Sequence, residues 1–210
     1  MRELILIGGG EHCGACIDVI ETTGFYKIKG IIDLPHKIGQ TILGYDIIGS
    51  DDSIPKLINE RNQFFITLGQ IYTSKLRRKL LNTLETSGAD IITVISPHAI
   101  VSKHSKIGLG TIVMHRSTIG PNVVIGKNCI INTGANIEHD SQIGNNVHVS
   151  THAVVNGASK IGNDCFIGSN ATVFHSIKIS ENVIISAGSI IRKPIESSGI
   201  YFNNQLIKNV

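Results

Sequence analysis

Tryptophan is absent, and phenylalanine and tyrosine together supply only 5% of the 210 residues. A core organised around large rings is thereby excluded, and aliphatic side chains must fill the interior. Cysteine is scarce too: Cys13, Cys16, Cys129 and Cys165 are too few for a disulfide-stapled scaffold. Cys13-Gly14-Ala15-Cys16 has the C-x-x-C form, but no second pair follows at zinc-finger spacing, and no metal is expected there. Charge is sparse, 17% of residues with a net +3. The densest basic run, Lys75–Lys79, reads as a solvated helix face, so no nucleic-acid partner is expected. No apolar run approaches the ~18 residues that span a bilayer. Leu4–Ile7, preceded by Glu3, is too short for a secretory signal. These absences predict a cytoplasmic protein with no membrane insertion.

What the chain has instead is glycine, 22 residues of it, and a repeat. From Ile95 through Ile143 to Ile191, seventeen positions spaced by six are all Ile or Val. Four places after each stands a mostly small residue, among them Ala99, Ser117, Ala135, Ala153 and Ala171. Glycine directly follows the aliphatic residue at 108, 120, 126, 144, 162 and 168. Such a register describes a triangular β-solenoid. Each hexapeptide makes one short strand and a corner, and three of them make a coil of 18 residues. Coils stack at the ~4.8 Å spacing of paired strands, so residues 18 apart form columns. A narrow prism of this kind has no room for indole, which accounts for the missing tryptophan.

The first ninety-odd residues follow another pattern. Strands are predicted at Glu3–Ile7, Ile28–Asp33 and Phe64–Gly69, with helices over 14–22 and 72–86. Alternation of this kind implies a small parallel sheet of the nucleotide-binding type over 1–95, with the prism over 96–210. Gly8-Gly9-Gly10-Glu11-His12-Cys13 lies between a strand and a helix, where backbone amides receive phosphate. Asp33 ends the next strand, within reach of a ribose or base edge.

Within the repeat one block carries chemistry: Asn132-Thr133-Gly134-Ala135-Asn136-Ile137-Glu138-His139-Asp140. A carboxylate bonded to one imidazole nitrogen fixes the tautomer and raises basicity, as a general base requires. Glu138 and Asp140 both flank His139, and the residues alone leave open which of them reaches the ring. His148 falls one and a half hexapeptides further on, and so on a neighbouring side of the prism.

With these motifs the chain resembles the PglD/NeuD-type bacterial sugar acetyltransferases over nearly its whole length. The resemblance implies an α/β Rossmann-like N-terminal domain followed by an all-β left-handed parallel β-helix. It further implies a homotrimer with acetyl-CoA bound between subunits and no metal. By the same resemblance His139 is the general base, strengthened by Glu138 or Asp140. His148, Ser169 and Ala187 meet acetyl-CoA. Gly10, Glu11, His12, Asp33, Leu34, Gly69 and Asn132 lie at a nucleotide-sugar substrate. Leu34 stands where the family carries a second acid, and Cys13 replaces a loop glycine. The C-terminal Ile200-Tyr201-Phe202-Asn203-Asn204-Gln205-Leu206 departs from the family's V-x-G-x-P-A.

The expected activity is N-acetylation of a nucleotide-linked 4-amino-4,6-dideoxy sugar for surface glycan synthesis, by direct transfer. O-acetylation of a sialic or related nonulosonic acid is the alternative. A trimeric β-helix zinc enzyme is more remote, because it needs an H-x-x-x-x-H pair. Gly144 and Ala153 occupy the fifth positions after His139 and His148.

Overall fold

The structure is a computed structural model describing residues 3–59 and 61–209. Strand Glu3–Ile7 lies inside a sheet in the order 41–42, 45–49, 27–32, 3–7, 62–66, 90–91. The hairpin of 41–42 with 45–49 is antiparallel and the other pairings are parallel. Leu4, Ile5, Leu6 and Ile7 are all buried because helices cover both faces of the strand, the usual setting of a parallel strand. Helix Glu11–Thr23 places Cys16, Ile17 and Ile20 on Leu4, Leu6 and Phe65. Helix Lys75–Thr86 places Leu80, Leu81 and Leu84 on Ile5, Ile7 and Phe64. The first helix begins at Glu11, three residues before its apolar pattern, because the extended Gly10 acts as its N-cap. Gly24 closes it in the left-handed conformation at φ 68°. The hairpin at 41–49 and helix Ile54–Leu57 were not legible in the strand and helix periodicities.

Every hexapeptide from Val94 onward forms a short strand, and the strands stack into three parallel faces. Face one carries Ile112–Val113, Ile130–Ile131, His148–Val149 and Phe166–Ile167. Face two carries Thr118–Ile119, Asn136–Ile137 and Val154–Val155. Face three carries Val124–Ile125, Gln142–Ile143 and Lys160–Ile161. The second residue of each strand points inward, and Val113, Ile137, Val149, Val155 and Ile167 are fully buried. Each contributes ~1.5–3 kcal/mol of gross hydrophobic stabilisation. Ile95 departs from this expectation. It heads the column but is 39% exposed, because its strand is the edge of the sheet with no coil beneath it.

At every sixth position from Gly110 to Gly188 the corner residue has positive φ. Asn122, Asn128, Asp140, Asn146, Asp164, Asn170 and Asn182 adopt it, and short polar side chains tolerate it best after glycine. The far end of the prism is closed by the hairpin Gly199–Phe202 and Gln205–Lys208, absent from the sequence-based expectations. Its turn lends side-chain oxygens to the last coil: Ile190 N–H donates to Asn203 Oδ1, and Arg192 N–H to Asn204 Oδ1.

The N-terminal sheet docks on face one. Val94, Ile112, Met114 and Ile130 share one apolar cluster with Leu4, Cys16 and Phe65. Arg77 is 1% exposed and donates to the carbonyls of Ile66 and Leu68 and, across the junction, to Asn128 Oδ1 at 2.7 Å. Asn128 Nδ2 donates to Asn146 Oδ1, and Asn146 Nδ2 to Asp164 Oδ1. Ser74 and Arg78 bond the Asp164 carboxylate from above.

Candidate active site

His139 stands at the corner between faces two and three, immediately after the strand Asn136–Ile137. Its side chain is 53% exposed, and Nδ1 lies 2.8 Å from Asp140 Oδ2. Asp140 is the carboxylate that reaches the ring. Its left-handed backbone, φ 61°, turns the side chain back beside the preceding residue, which an extended strand would send to the opposite face. The bond from His139, helped by one from Asn122 Nδ2, holds the Asp140 carboxyl below the usual range. Glu138 instead accepts a hydrogen bond from Asn136 Nδ2 at 2.7 Å. An ionised Asp140 accepts only, so Nδ1 is the donor to it, and in the neutral ring the lone pair then lies on Nε2. That arrangement suits a base.

His148 sits under opposite conditions. It is 6% exposed in the junction between the N-terminal sheet and face one. Nδ1 donates to the Gln70 carbonyl at 2.7 Å, and Asn132 Nδ2 donates to Nε2 at 3.1 Å. The Phe166 ring meets it edge-on, with centroids 5.1 Å apart. Burial pushes its pKa down to about 4, so the ring is neutral near pH 7. His12 reaches into the same junction, its ring centroid 6.4 Å from that of His148. Burial lowers it to about 4 as well, and its Nε2 is buried without a hydrogen-bond partner. Gly69 lies beside His12, and a Cβ there would meet His12 Cβ at 3.4 Å, an ordinary contact.

The glycine loop and the end of strand Lys27–Ile32 border a cavity of about 340 Å³, lined by Gly8, Gly10, Asp33, Leu34 and Lys37 among others. Asp33 is committed to holding this rim together. Oδ2 accepts from Gly9 N–H and from Lys37 Nζ, both at 2.9 Å, and Oδ1 accepts from Leu34 N–H at 2.7 Å. These bonds keep its carboxyl below the usual range despite partial burial. Leu34 is 55% exposed on the same rim. Glu11 is exposed at the start of the first helix.

Thr133, Thr151, Ser169 and Ala187 stack as successive coils at the corner between faces one and two, through His152 N–H to Thr133 O and its equivalents. Ser169 Oγ pairs with Ser150 Oγ at 2.9 Å, and Ala187 is exposed. The column is a row of small side chains that begins one residue after Asn132. Three residues of these sites were missed from sequence: Lys37, Gln70 and Arg77. Lys37 had a faint signal, four residues after Asp33 with Pro35 between. Gln70 had none, because its partner His148 is 78 residues distant. Arg77 belongs to the basic run read as a solvated helix face, and its burial against Asn128, 51 residues distant, corrects that reading.

The parts are thus a cavity behind a glycine loop, a column of small side chains along a prism, and a histidine–aspartate pair at a prism corner. The PglD N-terminal domain family matches residues 3–84. The bacterial transferase hexapeptide family (six repeats) matches 122–157, and the hexapeptide repeat of succinyl-transferase matches 160–193. The chain is an acyltransferase, with a PglD-type N-terminal segment and hexapeptide repeats after it. No curated protein matches it. Among solved structures, PerB from Caulobacter crescentus in complex with CoA and GDP-perosamine is 27% identical, with TM-score 0.87. That match covers 95% of this chain and 93% of the other. The acetyltransferase domain of PglB from Neisseria gonorrhoeae in complex with acetyl coenzyme A is 25% identical, with TM-score 0.89, over 99% and 98% of the two chains. WeeI from Acinetobacter baumannii, 21% identical with TM-score 0.87 over 99% and 100%, shares the fold. The prism of the acyltransferase is accordingly a left-handed parallel β-helix. Among the described residues, no helix of the acyltransferase is long and apolar enough to cross a membrane.

Proposed function

We propose that this acyltransferase moves the acetyl group of acetyl-CoA to the 4-amine of a nucleotide-linked 4-amino-4,6-dideoxy sugar, with His139 as general base. The observation that carries the proposal is the His139–Asp140 pair, with its proton on Nδ1 and Nε2 open. The similarity to PerB, solved with CoA and GDP-perosamine, supports the donor and the substrate class. The neutral amine attacks the thioester carbonyl as His139 Nε2 accepts its proton. The C–N bond forms, the C–S bond breaks, and the proton passes to the departing thiolate. Asp140 stabilises the transient imidazolium. The column of Thr133, Thr151, Ser169 and Ala187 would take an extended pantetheine arm along its small side chains, with the thioester toward Asn132 and His148.

The working unit is a homotrimer in this reading. The nucleotide cavity belongs to the domain docked on face one, whereas His139 projects from the corner between faces two and three. A second copy is therefore needed to bring a His139 to this chain's cleft. Steady-state kinetics with acetyl-CoA and UDP- or GDP-linked 4-amino sugars, following thiol release, tests the activity. Transfer to a sialic acid instead of the amino sugar would establish O-acetylation, and sedimentation as a monomer at micromolar concentration would remove the shared site.

A further inference from the structure

His139 belongs to a column of residues spaced by one coil: Pro121, His139, Gly157 and His175. The coils are held in register there, with Ala158 N–H donating to the His139 carbonyl at 2.9 Å. Gly157 is buried, and what covers it is the imidazole of His139. A Cβ at Gly157 would fall 2.7 Å from both Cε1 and Nε2 of that ring. Carbon–carbon contacts are favourable only at ~3.5–4.0 Å, so the ring and a side chain at 157 cannot share the space.

Gly120, one coil below Glu138 in the neighbouring column, offers the contrast. A Cβ there would lie 2.7 Å from His139 N and 3.1 Å from Glu138 C, which are main-chain atoms. Main chain in a stacked coil cannot yield without disturbing the ladder, whereas an exposed ring at the end of two torsions can swing away. Nor is glycine required at 157 for its backbone, because its φ lies outside the left-handed range. The missing side chain at Gly120 thus serves the fold, and the missing side chain at Gly157 serves the ring.

We propose that Gly157 is a positioning residue for the reaction. It is the seat on which the His139 imidazole lies, and it keeps Nδ1 on Asp140 while Nε2 is held toward the substrate. This rests on His139 being the base. Two constraints then define the ring, the Asp140 bond on one side and the flat surface of Gly157 beneath. Displacing a catalytic group by ~1 Å costs on the order of a hundredfold in rate.

The test compares Gly157→Ala, Gly120→Ala, His139→Ala and the double variant His139→Ala/Gly157→Ala as full chains. Gly157→Ala is expected to lower kcat by about tenfold to a hundredfold, with KM for acetyl-CoA and for the sugar nucleotide within about twofold. Its Tm should stay within about 2 °C of the parent, since alanine at an unstrained position also restricts the unfolded chain. The His139 Cε1–H resonance, assigned by its absence in His139→Ala, should move. Gly120→Ala should instead lower Tm. In the His139→Ala background the Gly157 substitution should cost nothing further, as the two act as a unit. Unchanged kcat and an unmoved resonance in Gly157→Ala would overturn the seat while leaving the base intact, and so would additive losses in the double variant. If His139→Ala turns over like the parent, the base assignment fails. The resonance alone then decides whether Gly157 seats the ring.

Discussion

Two corners of the same prism, built from the same left-handed turn, have opposite fates. At the corner between faces three and one, Asn128, Asn146 and Asp164 form an unbroken ladder in which each amide donates to the next side chain. Arg77, Ser74 and Arg78 close it from the N-terminal domain, and it becomes the polar spine of the domain junction. At the corner between faces two and three the ladder starts in the same way, with Asn122 Nδ2 donating to Asp140 Oδ1 at 3.0 Å. It stops there, because the next residues in the column are Ala158 and Ser176. Asp140 Oδ2 is left for His139. A site arises where a structural ladder is interrupted and one carboxylate keeps a free oxygen.

The largest effect should come from the interrupted corner. His139→Ala is expected to lower kcat by ~10²–10⁴-fold, the usual contribution of a positioned general base. Its thermal midpoint should hardly move, since the ring is half exposed and outside the aliphatic columns. Turnover within threefold of the parent would remove the distinction between the two corners. The unbroken corner should fail differently. Arg77→Met deletes a buried guanidinium, which burial already pulls down to about 10, and takes the donor from Asn128 Oδ1 and from the carbonyls of Ile66 and Leu68. A loss of about 3 kcal/mol or more is expected in denaturant unfolding. A loss under 1 kcal/mol would mean that the apolar cluster alone docks the domains.

Acid should act on the junction as well. His12 and His148 are held neutral, with pKa values of about 4 against an ordinary 6.5. Between these limits the unfolded chain binds more protons than the folded one, so stability falls as pH drops from about 6.5 to about 4. Above 6.5 these two groups contribute no slope. Unfolding free energies from denaturant titration should decline by a few kcal/mol across that window, and His148→Gln should flatten the decline. A profile level down to pH 4 would contradict the burial of both rings.

Smaller effects sharpen the comparison. Ala158 adopts φ 58° without the side chain that tolerates it, so Ala158→Asn should stabilise the fold by about 0.5–1 kcal/mol. Its amide would also compete for Asp140, so activity should fall as Tm rises. A variant that gains both would show that the interruption has no catalytic use. Asp33→Ala frees Gly9, Leu34 and Lys37 at the cavity rim. Calorimetry should show sugar-nucleotide affinity about tenfold weaker and acetyl-CoA affinity unchanged.

The site was partly legible. His139 stands out because two carboxylates flank it, yet the choice between them rests on the positive φ of Asp140, set by its place in the period-six row of corner residues and not by its neighbours in sequence. His148 was placed on another face by counting residues. That it would be buried against Gln70, with both nitrogens engaged, depended on where the N-terminal sheet docks. Asp33 was expected to face a ligand, but most of its bonding capacity goes to its own loop. One of those bonds reaches Gly9, 24 residues away, and the other two stay within four residues in an irregular loop, where no periodicity applies.

Local pattern alone determined the prism. Seventeen aliphatics in step, with small residues at the corners, have one compact solution, since the strand period and the three-sided coil place every sixth residue inside. It also determined the alternation of strand and helix before Val94. The tertiary structure decided which face of the prism the N-terminal sheet covers. With that it decided which histidine is sealed and neutral and which is open and paired. Those choices depend on matching two surfaces, an energy shared between segments far apart in the chain, and neither segment carries it alone.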